Sequence, residues 1–304
     1  MEKIIVCTTI NSPTEAIEKY DSMTGWNLIV VGDQKTPKNY NLKNGLYLSP
    51  ADQVKMSAKL SELIGWNCIQ RRNFGLLYAF NSGAGVISTV DDDNIPLENW
   101  GKELFINKKT SVKEFQVDDL AFDPIGATNY SHLWHRGFPL ELIPARKYDK
   151  KAESVITPDI QADFWNGDPD IDALCRMEHK PECNFLSSYF PFTSNKLSPF
   201  NSQNTFINRK VAQDYFLYPH IGRMDDIWAS YYVQAKGHRV IYNKPTVYQS
   251  RNIHNLIDDM KKEYIGYENN LSLLKDLYSD PELIRNYIPE KSFLAWETYR
   301  SLLK

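Results

Sequence analysis

Residues 86–94 read VISTVDDDN, so a run of β-branched residues ends on three adjacent carboxylates, Asp91, Asp92 and Asp93. Neighbouring ionised carboxylates raise one another's proton affinity unless a cation compensates them, and oxygen-only ligands suit Mg²⁺ or Mn²⁺. For any single Asp the competing role is a turn, because its side chain caps nearby backbone amides. In a parallel α/β sheet, ligands lie beyond the carboxyl ends of the strands, which is where this run falls. A magnesium-type ion takes one or two protein carboxylates and completes its shell with water and substrate phosphate. The run therefore predicts a ligand that carries a diphosphate.

Neither GxxxxGK[ST] nor GxGxxG follows the first strand-like segment, so a P-loop and a dinucleotide fold do not account for that diphosphate. A strand, an Asp cluster and a metal-held diphosphate describe a nucleotide-sugar site. Arg71 and Arg72, in CIQRRNFGLLYAF, precede the run on a helix-like segment. An Arg there either clamps a phosphate bidentately or faces solvent, and adjacent helix positions diverge by about 100°, so one of the two is expected to turn inward. GRMDDIWASYY places Asp225 and Asp226 at a helix start, where carboxylates suit the dipole and where either would serve as a general base. DPDIDALCR adds Asp168, Asp170 and Asp172, with Asp170 read as a helix N-cap and one of the three as an acceptor for sugar hydroxyls. His254, in RNIHN, is within reach of a metal or is structural.

The elements that must position these residues follow from periodicity. KIIVCTT and NLIVV read as buried strands, SPTEAIEKY as a helix with a Ser cap and Pro just inside, and VISTV as the strand that carries the Asp run. ADQVKMSAKLSELIG and CIQRRNFGLLYAFNSG are helix-like, with apolar spacings of three and four. Strand and helix thus alternate through residues 1–100, as in a parallel sheet with crossover helices. Between 122 and 200 Pro and Gly concentrate and the pattern loosens. GRMDDIWASYYVQAKG then reads as a helix, HRVIYN and TVYQS as a strand pair, and 254–304 as wholly helical.

Composition narrows the class. A chain of 304 residues with 42% apolar residues supports one large core or two small ones. A net charge of -3 with mixed signs offers no basic footprint for nucleic acid. Cys7, Cys68, Cys175 and Cys183 form no CxxC pair, so they read as reduced thiols. No stretch approaches the roughly 18 apolar residues of a membrane span, and the N-terminus has no signal-peptide pattern, so the chain is expected in the cytoplasm.

RRNFGLLYAF followed by VISTVDDDN resembles the nucleotide-binding half of GT-A glycosyltransferases. FDPIGATNYSHLWHRGFP, DPDIDA, GRMDDIWASYYVQ and KKEYIGY are similar, in that order, to the reversibly glycosylated polypeptides that act as UDP-arabinopyranose mutases. VVGDQKTP and RNIHNLIDDMKKEYIGY are closer to the STELLO-type glycosyltransferase-like proteins. The resemblance covers residues 4 to about 267. It implies a GT-A α/β fold, with a mixed sheet over 1–265, a nucleotide-binding half (1–100), a sugar and acceptor half (101–265) and a packed helical extension (266–304).

It further implies a UDP-sugar donor, a cation held by the Asp run, and nucleotide contacts from Thr8, Thr9 and Asp33. In the mutases the Arg of an RGFP-like motif is essential and becomes glycosylated; the matching position here is Arg136. Their second Arg is matched by Ile143, with Arg146 three positions on, and their late histidine by Ser250.

The combined expectation is a glycosyltransferase that passes sugar from a UDP-sugar to a glycan or other hydroxyl acceptor. Asp93, Asp91 and His254 are the expected ligands for Mn²⁺ or Mg²⁺. Thr8, Thr9, Asp33, Arg71, Arg72, Asp91, Asp92 and Asp170 are expected to bind the nucleotide sugar, and Asp225, Asp226 and Arg136 to be catalytic. A UDP-sugar mutase and a non-catalytic nucleotide-sugar-binding subunit are the alternatives, and the C-terminal helices are either a surface for self-association or complex formation or packing for the parent domain.

Overall fold

The computed structural model describes residues 2–250 and 255–304. In chain order its strands are β1 (Lys3–Thr8), β2 (Asn27–Val31), β3 (Leu46–Leu48), β4 (Val86–Asp91), β5 (Asn94–Pro96), β6 (Thr110–Phe115), β7 (Lys151–Ile156), β8 (Ile160–Gly167), β9 (Phe192–Ser194), β10 (Asn204–Asn208) and β11 (Val240–Gln249). Its helices are α1 (Glu15–Asp21), α2 (Pro50–Met56), α3 (Ala58–Ile64), α4 (Arg72–Asn81), α5 (Ala173–His179), α6 (Asp225–Ala235), α7 (Leu256–Ser279) and α8 (Glu290–Ser301).

One sheet runs in the order β3-β2-β1-β4-β10-β8-β11-β9-β6-β7, with β5 added beside β11. The first four strands are mutually parallel, as the strand–helix alternation of residues 1–100 predicts. β10 then enters antiparallel between β4 and β8, and β8 and β11 pair in parallel. The α/β class with a mixed sheet and a helical C-terminal extension is as expected. Central strands β1, β4 and β10 are buried nearly throughout, and in β10 this includes the polar residues Asn204, Thr205 and Asn208.

α4 lies against the first strands because residue 75 has no side chain. A Cβ on Gly75 would come within 2.8 Å of Val31 Cγ2 and closer still to Val6 Cγ1. The close approach sets the height of Arg71 and Arg72 above the strand ends.

Several local expectations are corrected. Thr14, not Ser12, caps α1, accepting from the Ile17 amide at 3.3 Å. The segment ADQVKMSAKLSELIG is two helices, since extended Ser57 interrupts it and caps α3 through the Leu60 amide at 3.1 Å. HRVIYN and TVYQS form the single strand β11, whose register shifts between Asn243 and Val247, around Pro245. The C-terminal region is not one helical run: α7 crosses residue 265 unbroken, and the chain then turns at Pro281 and Pro289 before α8. α8 buries Trp296 and Tyr299 against Tyr218, Tyr232 and Phe216, so this end of the chain shares the main core. Among the described residues no helix is long and apolar enough to cross a membrane.

Candidate active site

The three carboxylates of the Asp run have three different surroundings. Asp91, the last residue of β4, pairs in register with Thr8 and accepts from Arg72 Nη2 at 2.6 Å. Asp92 turns the other way, toward the β1 end, where it accepts from the Thr9 hydroxyl and from Asn11 Nδ2 at 3.0 Å. Thr14 Oγ1 donates to the Asp92 carbonyl at 2.5 Å, tying the α1 cap to the same turn. Asp93 shares with Asp91 the wall of a cavity that Asp92 does not reach. The repulsion within the run is thus relieved in part by a guanidinium and by neutral donors, without requiring a cation for all three.

Both arginines of the RR pair are fully buried, and they do different work. Arg72 engages all five of its N–H groups, with Thr8 Oγ1 at 3.1 Å, Ser202 O and Oγ both at 2.7 Å, Val90 O at 3.0 Å and Asp91. It orients the carboxylate run and has no N–H left for a phosphate. Arg71 points into the helix layer, where it donates to Gln53 Oε1 at 2.7 Å and to Ser61 and Gly65 carbonyls at the C-terminal end of α3, and lies 3.7 Å over the Trp66 ring. The phosphate clamp expected of Arg71 or Arg72 is therefore replaced by a supporting role, because one faces the wrong layer and the other is saturated.

Opposite the Asp run lies a buried ion cluster. Arg136 makes a bidentate pair with Asp170, with Nε and Nη2 each at 2.8 Å, and a second pair with Asp226 at 3.1 and 3.4 Å. Its remaining N–H meets the Arg223 carbonyl, so all five donors are engaged. Although burial works against a charged guanidinium, Asp170 and then Asp226 hold the Arg136 pKa well above its ordinary value. Such a nitrogen is no nucleophile. The glycosylated role implied for Arg136 would require at least one of these contacts to break.

Asp226 also accepts from the Ser202 amide at 2.8 Å and hydroxyl at 3.0 Å, and Asp170 from Asn201 Nδ2 at 2.9 Å. Asp225 differs, since it accepts from Gln70 Nε2 at 2.8 Å. Burial, and after it the charge of Asp226, push the Asp225 carboxyl upward from its ordinary pKa. The helix cap expected of Asp170 belongs to Asp172, which accepts from the Cys175 amide at 2.8 Å. Arg146 pairs with Asp123 away from this cluster. His254 lies outside the described residues.

These groups line two adjoining cavities. One, of 320 Å³, lies at the ends of β1 and β2 and contains Thr8, Thr9, Asp33, Asn67 and Asp92, flanked by the exposed apolar side chains of Ile10 and Ile69. Asp33 holds its floor, accepting from the Gln34 amide at 2.6 Å and the Cys68 amide at 3.0 Å. The other, of 210 Å³, lies at the end of β4 and contains Asp91, Asp93, Arg136, Asp170, Asp225 and Asp226. Ile69 borders both. A larger recess of 400 Å³ near Glu114 and His238 contains none of these residues.

Among the described residues no three His, Cys, Asp or Glu side chains form a closed metal cage. The donor set of Asp91 and Asp93 nevertheless suits an open site of the magnesium type, which uses few protein oxygens. Ser202, Gln203, Arg223 and Gln249 also line the smaller cavity and lie outside the residues expected from the sequence. The rule that drew attention to the Asp run, position at a strand's carboxyl end, applies equally to Gln249. Arg223, beside the paired carboxylates and held by Glu263 at 2.8 Å, was visible in GRMDD.

No protein-family model matches the chain. It is 25% identical over 282 residues to the "Probable glycosyltransferase STELLO2" of Arabidopsis thaliana, covering 82% of this chain and 36% of that protein. To "Probable glycosyltransferase STELLO1" of the same plant it is 23% identical over 253 residues, covering 77% and 33%. The chain therefore spans about a third of the length of these curated relatives. Among solved structures it is similar to glucosyl-3-phosphoglycerate synthase from Mycobacterium tuberculosis, with a TM-score of 0.40, 9% identity, and coverage of 95% of this chain and 81% of the other.

Proposed function

As a relative of the STELLO-type, GT-A glycosyltransferase-like proteins, the chain is, we propose, a glycosyltransferase that moves sugar from a UDP-sugar to a hydroxyl acceptor. The observation that carries this reading is the pair of cavities joined at Ile69, one with apolar flanks and polar floor, the other walled by carboxylates at the end of β4. A base and ribose suit the first, and a diphosphate and glycosyl group the second. Asp93 and Asp91 are the residues to hold Mn²⁺ or Mg²⁺, which when bound neutralises charge on a diphosphate leaving group.

The protein's own contribution begins with Arg72, which fixes Asp91, and with Thr9 and Asn11, which fix Asp92. The acceptor oxygen attacks the anomeric carbon as the bond from that carbon to the phosphate oxygen breaks, and UDP departs with the bonding pair. The acceptor proton goes to Asp225, in a transfer that inverts the anomeric centre. Asp226 does not take that proton, because Arg136 and Ser202 engage it. The mutase reading gains no support from Arg136, whose donors are all engaged in the fold.

Thermal unfolding in the presence of UDP-sugars tests the donor class. A ligand at a hundredfold excess over its dissociation constant stabilises the native state by about 2.7 kcal/mol, so one UDP-sugar with Mn²⁺ is expected to raise Tm clearly. A flat response to every UDP-sugar contradicts the proposal.

A further inference from the structure

We propose that Gln249 reads a hydroxyl of the donor's glycosyl group and so helps select which nucleotide sugar is accepted; this rests on the nucleotide-sugar reading above. Gln249 ends β11, is 2% exposed and lines the carboxylate-walled cavity. Its main chain is held by the end of β8. The Asp168 amide donates to its carbonyl at 3.0 Å, and Gly167, at φ +89°, lies so close that a Cβ there would collide with the same carbonyl.

The side-chain amide oxygen of Gln249 is buried and has no hydrogen-bond partner among the described residues. Burying an acceptor without a donor is unfavourable, and the effect is removed when a ligand supplies the donor. The nearby protein groups do not. Asp170, Asp225 and Asp226 line the same cavity as acceptors, every N–H of Arg136 is engaged, and the donor-bearing side chains of Gln203 and Arg223, which also line it, make no hydrogen bond to this oxygen.

The missing donor therefore belongs to the ligand. Ionised phosphate oxygens only accept, so the diphosphate does not satisfy Gln249. The base-sized cavity lies across Ile69, on the side of Asp33 and Thr9, and does not include Gln249. A sugar hydroxyl both donates and accepts, so it can donate to Gln249 in a cavity whose wall is rich in carboxylates. The competing donor is a water held on a cation, and that water would accompany UDP as well as a UDP-sugar.

Calorimetric titration with UDP, UDP-glucose, UDP-galactose and UDP-arabinopyranose in Mn²⁺ separates these cases, using the wild type, Gln249→Leu and Gln249→Met. Removing one hydrogen bond is expected to weaken the preferred UDP-sugar about tenfold and to narrow the spread among the sugars, with UDP unchanged. Two different apolar replacements guard against a variant that fails to fold. Equal weakening of UDP and UDP-sugar, or no change in either, overturns the role of Gln249. Absence of UDP-sugar binding by the wild type overturns the nucleotide-sugar reading itself and the inference with it.

Discussion

Asp225 and Asp226 are the same side chain one residue apart, yet Asp226 faces Arg136 and the Ser202 amide while Asp225 faces a neutral Gln70. Burial and the neighbouring charge raise the Asp225 pKa, so the ionised base is lost as pH falls. The pH–rate profile is therefore expected to lose activity on its acid side at a pH above the ordinary carboxylate value of about 3.9. Asp225→Asn should lower kcat by about 100-fold to 10,000-fold, the usual contribution of a general base, with UDP affinity intact. Asp226→Asn should instead lower Tm, because removing one partner of a buried ion pair costs about 3–5 kcal/mol. The reverse pattern in kcat and Tm would exchange the two roles. The sequence presents the pair as equivalent, since what separates them, Arg136, arrives from ninety residues away.

The strand and helix that frame the Asp run were legible because both announce themselves locally, by β-branched residues and by three-and-four spacing. What α4 does was less legible. Its RR pair reads as one inward and one solvent-facing cation, whereas Gly75 lets the helix sink until both are buried. Gly75→Ala tests this at the level of the element. The added methyl meets Val6 and Val31, and overpacking of this kind costs about 1–3 kcal/mol, measurable by urea unfolding. Unchanged stability would show that α4 has room to lift, and with it Arg72. The break at Ser57 and the fusion of two strand segments into β11 escaped the pattern for a similar reason. A Ser inside an apolar periodicity and a Pro inside a strand each have two readings, and packing chooses between them.

Across the whole molecule, the parallel half built on β1 to β4 supplies the strand ends, and the later half supplies the opposing wall through Arg136, Asp170 and α6. The C-terminal helices hold that wall in place: Asn270 on α7 accepts from Trp228 Nε1 of α6 at 2.8 Å, and Glu263 holds Arg223 beside the cavity. This explains why the extension is no detachable tail, a point that its mixed charged and apolar sequence left open. In the proposed function the two halves together cleave a metal-bound UDP-sugar. Release of UDP from candidate donors in Mn²⁺ tests it most directly, with the wild type compared against Asp93→Ala and against the wild type in EDTA. UDP release by the wild type that is lost under both changes is the predicted result; release that survives both contradicts the account.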